Sequence, residues 1–185
     1  MILLRHGQSW FNFHFSETRR DPGIEDPELT ALGRTQAEAA AQLLAREMIT
    51  RIIVSPYIRT LQTAAPVLRL IPDAIVEVMH EVRERAAFAC DVGSHPEVLA
   101  ERFPEHQFGH LPARWWHEGL EPEEVVIGRA DAFRETMAAR EDAETTLLVS
   151  HWAFILALTG QSVGNGEMIR YDPRIVPKER LEWRA

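Results

Sequence analysis

Short apolar runs recur along the chain, each cut off by glycine, proline or a polar cluster. Ile2-Leu3-Leu4 reads as a buried strand ended by Gly7, and Arg51-Ile52-Ile53-Val54 as a second, β-branched one. Ala74–Val78 and Thr145–Val149 are further strands, and Met168–Tyr171 is a late one after the Asn165-Gly166 turn. Between them the period changes to that of a helix. Thr30 can cap a helix to about Met48, with Ala40, Leu43, Leu44 and Met48 on its apolar face. Tyr57 to Leu70 carries the stripe Ile58, Leu61, Ala65 and Leu68, with a kink or break expected at Pro66. A helix beginning near Glu121-Pro122 places Glu121, Glu123 and Glu124 at the positive end of its dipole and buries Val126, Ala130, Phe133 and Met137. Trp152–Thr159 is a last helix, stopped by Gly160. The mixed, charged stretch from Trp10 to Pro27 reads as a loop.

Alternating strands and helices predict an α/β fold: three α/β/α layers around a mainly parallel sheet. The whole chain, 1–185, reads as one domain. A loop-rich insertion is expected at about 85–120, where prolines, histidines and Trp115-Trp116 replace the periodic pattern.

Composition narrows the setting. The chain has 185 residues, 45% hydrophobic and 26% charged, with a formal net charge of −8. An acidic balance argues against nucleic acid or an anionic membrane as the main partner, since both reward basic surfaces. Cys90 is the single cysteine, so no internal disulfide or paired-cysteine zinc site is expected. No apolar stretch approaches the length of a membrane span, and Met-Ile-Leu-Leu-Arg-His-Gly lacks a basic leader. The expectation is a cytoplasmic protein. The sequence leaves a homodimer open.

Three strand ends carry unusual polar groups: Leu4-Arg5-His6-Gly7, Val54-Ser55-Pro56 with Arg59 one turn later, and Val149-Ser150-His151. In a parallel sheet these ends share one edge, where ligands bind. Arg5, His6, Arg59 and His151 are therefore expected to converge. Phosphate monoester hydrolysis suits that set. The uncatalysed reaction is among the slowest known, and guanidinium groups bind phosphate oxygens bidentately. One neutral imidazole can attack phosphorus while a second hydrogen-bonds an equatorial oxygen. Flanking arginines keep the attacking ring neutral, and a protonated carboxylic acid must serve the leaving alcohol.

Four motifs, in order, resemble the histidine phosphatase superfamily, also called phosphoglycerate mutase-like. Arg5-His6-Gly7-Gln8-Ser9 with Asn12 resembles its R-H-G-[EQ]-S-x-x-N signature. Leu29-Thr30-x-x-Gly33-x-x-Gln36-Ala37 and Ser55-Pro56-x-x-Arg59-Thr60-x-x-Thr63-Ala64 match the next two, and Ser150-His151 matches the second histidine. The resemblance implies a phosphohistidine on His6, a phosphoryl group gripped by Arg5, Arg59 and His151, help from Asn12, a substrate-side position for Gln8, and no metal or organic cofactor. It also implies a glutamate after the third strand. Glu81 and Glu84 both fit; Glu84 is preferred because Cys90-Asp91-Val92-Gly93-Ser94 follows it as in one subgroup. Trp152 stands where many relatives have glycine, so its ring would narrow the pocket or form an aromatic wall.

The expected substrate is a small phosphorylated metabolite. Two other readings stay open. A phosphoglycerate mutase is disfavoured by the lack of the longer insertion and basic tail of cofactor-dependent mutases. A non-catalytic phospho-ligand module has no need for both a nucleophile and an acid. His95, His106, His110 and His117 read as solvated loop residues rather than metal ligands, and Arg83 and Arg85 as substrate-anion ligands or exposed charges.

Overall fold

The computed structural model describes residues 1–177; residues 178–185 of the expected domain lie outside the described residues. The elements run β1 (Ile2–Arg5), α1 (Trp10–Thr18), α2 (Ala31–Leu44), β2 (Arg51–Val54), α3 (Ile58–Leu70), β3 (Ile75–Val78), α4 (Pro96–Arg102), α5 (Glu123–Ala138), β4 (Thr146–Ser150), α6 (Trp152–Thr159) and β5 (Met168–Arg170). Single helical turns lie at His80–Val82, Ala89–Asp91 and Ala143–Thr145.

The sheet order is β3-β2-β4-β1-β5. All pairs are parallel except β1 with β5. Side chains alternate across the strands, as the two-residue period demands. Ile2, Leu4, Ile52, Val54, Leu147 and Val149 face the core under α2 and α3, together with Leu99, Phe108 and Trp115. Leu3, Ile53 and Leu148 face the opposite core, with Val126, Ala130, Phe133 and Met137 of α5 and Phe154, Ile155 and Leu158 of α6. Two apolar faces thus make the expected three layers.

Several expectations change. Residues 10–18 form a helix rather than a loop. The Ser9 hydroxyl accepts from Asn12 N while Asn12 Oδ1 accepts from Ser9 N at 3.0 Å, closing a capping box. Phe11 then stacks on Phe15, and both touch Phe88. The Thr30-capped helix ends at Leu44, and Leu43 and Met48 are exposed; its buried face is Gly33, Ala37, Ala40, Ala41 and Leu44. The helix containing Pro66 runs unbroken, because Leu61, Ala64 and Val67 on either side of the ring are packed into the core.

Register sets the functional edge. Arg5 lies opposite Ser150, and Val54 opposite Val149. The ladder continues one step further, His6 N donating to Ser150 O at 3.0 Å and Ser55 N to Val149 O at 3.2 Å. His6, His151 and Ser55 therefore leave the sheet side by side.

The turn after β1 presses against the start of α2. A Cβ on Gly33 would lie 2.1 Å from Gln8 O, and one on Gly7 would lie 2.4 Å from Gly33 O. Gly33→Ala is expected to destabilise the fold by about 1–3 kcal/mol through overpacking, despite alanine's helix advantage of about 1 kcal/mol. Gly128→Ala, on α5 with nothing within 4 Å, is expected to stabilise. Urea midpoints check the pair, and a Gly33→Ala midpoint at or above the parent's would contradict the close contact.

Candidate active site

Arg5 ends β1, and its guanidinium Nη1 donates to Val163 O at 2.9 Å, while its buried Nε has no hydrogen-bond partner among the described residues. The turn before β5 clasps the same point: Asn165 Nδ2 donates to His6 O at 3.1 Å, and Gly166 N reaches both Arg5 O and His6 O. Gly166 has φ of 72°, a left-handed conformation that glycine adopts without cost.

His6 is buried, 3% exposed, with Nδ1 2.7 Å from Gly7 O. A carbonyl oxygen only accepts, so Nδ1 carries the proton and Nε2 keeps its lone pair. Burial first, then the charges of Arg59 and Arg5, hold the ring's pKa well below the usual histidine value. The His151 ring lies 5.2 Å away, centroid to centroid, at 61°. Its Nε2 is 2.8 Å from the Ser55 hydroxyl, and its buried Nδ1 is unpartnered. When Ser55 donates, His151 offers an Nδ1–H. Burial, Arg59 and His6 keep this ring neutral too.

Arg59, one turn into α3, is 2% exposed. Its Nη1 donates to Cys90 O at 2.8 Å and its Nη2 to Asp91 Oδ1 at 3.2 Å; its guanidinium stacks 4.1 Å from the Tyr57 ring centre. Asp91 is itself fixed by Ala87 N and Phe88 N on Oδ2. The Tyr57 hydroxyl donates to Asp91 O at 2.6 Å. Thr63, one turn beyond Arg59, accepts from Gly7 N at 3.1 Å and so ties α3 to the His6 turn.

Glu84 follows the helical turn after β3. Its Oε1 accepts from Ala153 N in the first turn of α6 at 2.9 Å, and from Arg85 N at 3.0 Å. Burial and the nearby Asp91 charge raise its pKa to about 7, with Arg59 and Arg5 opposing. Glu81 is exposed and lies 3.5 Å from His80 Nδ1.

The remaining expected residues are arranged around this group. Asn12 Oδ1 accepts from Ser9 and from Asn165 Nδ2 at 3.2 Å, which links it to the His6 carbonyl through Asn165. Gln8 is engaged with α2: its N donates to Gln36 Oε1 and its Oε1 accepts from the Thr30 hydroxyl, both at 2.8 Å. Trp152 Nε1 donates to Ser162 Oγ at 2.9 Å. His106 is buried rather than solvated, and His110 Nε2 meets Val78 O at 2.7 Å, because the 103–116 segment folds onto the core through Phe108, Leu111 and Trp115. Among the described residues no three His, Cys, Asp or Glu side chains are grouped to hold a metal. Asp91 and Asn165 are site residues that sequence reasoning misses: Asp91 lies in the Cys90-Asp91 motif, whereas Asn165 has the signature of an ordinary turn residue beside Gly166.

The raised pKa of Glu84 has a stability consequence. Its folded value lies above that of an unfolded glutamate, so the carboxyl contributes fully below about pH 4 and that contribution is lost as pH rises through about 7. Glu84→Gln, which keeps an acceptor for both N–H groups, is expected to raise the melting temperature relative to the parent at about pH 8.5 and to lose that advantage near about pH 4. A difference that does not change with pH in thermal scans would show that this carboxyl titrates normally.

A family model described as "Histidine phosphatase superfamily (branch 1)" matches residues 1–172. Phosphoserine phosphatase 1 of Hydrogenobacter thermophilus is 31% identical over 159 residues, covering 82% of this chain and 70% of that protein. An acid phosphatase of Mycobacterium tuberculosis is 33% identical over 162 residues, covering 85% and 72%. The solved structure of "Mycobacterial hydrolase 1" superimposes with a TM-score of 0.65 at 25% identity, covering 91% of this chain and 86% of the other. The matched span takes in every strand described above, and the chain belongs to branch 1 of the histidine phosphatase superfamily.

Proposed function

We propose that this protein is a phosphomonoester hydrolase that works through a phosphohistidine on His6, with a small phosphorylated metabolite as substrate. The observation that carries the reading is the His6 ring itself: Nδ1–H is committed to Gly7 O, and burial with the nearby charges of Arg59 and Arg5 keeps the ring neutral, so that Nε2 keeps its lone pair. Such a ring attracts an anion through its neighbours and attacks it without first losing a proton.

In the first step Nε2 attacks phosphorus in line. The N–P bond forms as the bond to the leaving oxygen breaks, and Glu84 gives its proton to that oxygen. Arg5, Arg59 and the His151 N–H hold the equatorial oxygens, whose charge they stabilise, and Asn12 assists. The unpartnered Nε of Arg5 and Nδ1 of His151 are donors suited to this role. In the second step the Glu84 carboxylate takes a proton from water, and the resulting oxygen attacks phosphorus. The N–P bond breaks, its electron pair returns to Nε2, and phosphate leaves. A carboxyl with a pKa of about 7 can both give and accept a proton near neutrality. The chemistry needs no metal or organic cofactor. The segment at about 85–120, which supplies Cys90 O and Asp91 to Arg59, is proposed to shape the pocket for the leaving group, with Trp152 as a wall.

A phosphomonoester panel tests the proposal. His6→Ala is expected to abolish phosphate release and the acid-labile phosphoenzyme trapped on rapid quenching. Glu84→Gln is expected to lower kcat/KM for alkyl phosphates by about 10²–10⁴-fold, with a much smaller effect on kcat/KM for p-nitrophenyl phosphate, whose leaving group needs no proton; kcat/KM reports phosphoenzyme formation and leaves out the water step that Glu84 also serves. Undiminished turnover by His6→Ala, or no release by the parent from any compound in the panel, would overturn it.

A further inference from the structure

Beside the site lies a buried ionic cluster that the phosphoryl chemistry does not use. Glu121 is 0% exposed. Its Oε1 accepts from Arg83 Nη2 at 2.9 Å and from Arg129 Nε at 3.0 Å, and its Oε2 from Arg129 Nη2 at 2.8 Å and Ala86 N at 3.4 Å. Arg83 is therefore neither a substrate ligand nor an exposed charge: its side chain is 11% exposed and committed to Glu121. Arg85 likewise turns to the Glu121 backbone, Nε donating to its carbonyl at 2.9 Å. Glu121 itself precedes α5 and points inward, whereas Glu123 and Glu124 lie in the helix's first turn.

The bonds this cluster makes to backbone groups fall largely on the segment that carries Glu84. Glu121 N donates to Ala86 O at 2.8 Å. Arg129 Nη1 donates to Glu81 O at 2.6 Å and to Arg83 O at 3.1 Å. Residues 81, 83, 85 and 86 are thus all tethered, and Glu84 sits at the centre of the tethered stretch. The same Arg129 lies 5.6 Å from the Phe154 ring centre on α6, the helix whose Ala153 N holds the Glu84 carboxylate. One guanidinium therefore touches both sides of the Glu84 setting.

Burying a carboxylate between two guanidiniums is costly, and well-packed apolar groups often stabilise a core as much. What the ionic cluster supplies instead is direction: the Arg129 fork and the backbone bonds permit one geometry. We propose that Glu121, clamped by Arg129 and Arg83, is a positioning residue that holds Glu84 at the leaving-group oxygen. This rests on the reading of Glu84 as the proton donor.

The test separates the two claims by leaving group. With Glu121→Gln, kcat/KM for an alkyl phosphate is expected to fall about ten- to a hundredfold, as misplacing a catalytic group does, while kcat/KM for p-nitrophenyl phosphate stays within about twofold. The double variant Glu121→Gln with Glu84→Gln is expected to match Glu84→Gln alone, because a positioning residue has nothing left to position. Arg129→Lys, which keeps the charge but loses the fork, is expected to give the same selective loss; it carries the test if Glu121→Gln fails to fold. Equal losses on both substrates, or additive losses in the double variant, would overturn the proposal. If Glu84→Gln shows the leaving-group signature and neither clamp variant does, only the positioning claim falls. If Glu84→Gln lacks the signature, the proton-donor reading falls first and takes this one with it.

Discussion

A buried imidazole surrounded by guanidinium charge has to stay neutral, and most of the local structure can be read as what makes that stable. Arg5 is adjacent to His6 in sequence, and Arg59 reaches the same space from α3. Both disfavour an added proton on His6, as does its removal from water. The Gly7 carbonyl then decides which nitrogen keeps the remaining proton. The positive charge of Arg59 is balanced by Asp91, an acid 2% exposed and held by backbone N–H groups on its far oxygen. The Asp91 charge is also felt at Glu84, where with burial it favours the protonated carboxyl. One carboxylate thus anchors a guanidinium on one side and biases an acid on the other.

Parallel pairing is what allows these groups to meet. β1, β4 and β2 are neighbours in register, so the residues after each strand emerge at one level, and the edges of three distant sequence segments become one surface. The Gly7–Gly33 approach lets α2 close against that surface, and the turn around Asn165 and Gly166 closes it from the β5 side. Helix starts complete it: α6 begins at Trp152, directly after His151, and offers Ala153 N to Glu84. Asp26 performs a similar service for α3, accepting from Ile58 N at 2.9 Å.

The strands and the four converging polar residues were legible because both are local signals. Apolar runs of four or five residues mark buried strands, and Arg5, His6, Arg59 and His151 each sit at or just past such a run. The α5 face was legible for the same reason, since Val126, Ala130, Phe133 and Met137 follow the helical period. What escaped depends on partners distant in sequence. The helix at Trp10–Thr18 buries only Phe11 and has no apolar stripe; a cap and an aromatic contact with Phe88 stabilise it. Leu43 and Met48 obey the period but lie off the packed face. Glu121 reads from the sequence as a charge at the positive end of the α5 dipole, because nothing near it in sequence shows that Arg83, 38 residues earlier, will turn toward it.

The account therefore stands or falls on the protonation state of one ring. Selective nitrogen-15 labelling of histidine, with His6→Ala used to assign the resonance, reports directly on each imidazole nitrogen. The account predicts a neutral His6 between about pH 5.5 and pH 8, with Nδ1 protonated and Nε2 bare throughout, since its pKa is held well below the ordinary value of about 6.5. A His6 that becomes imidazolium within that interval, or carries its neutral-state proton on Nε2, would contradict it.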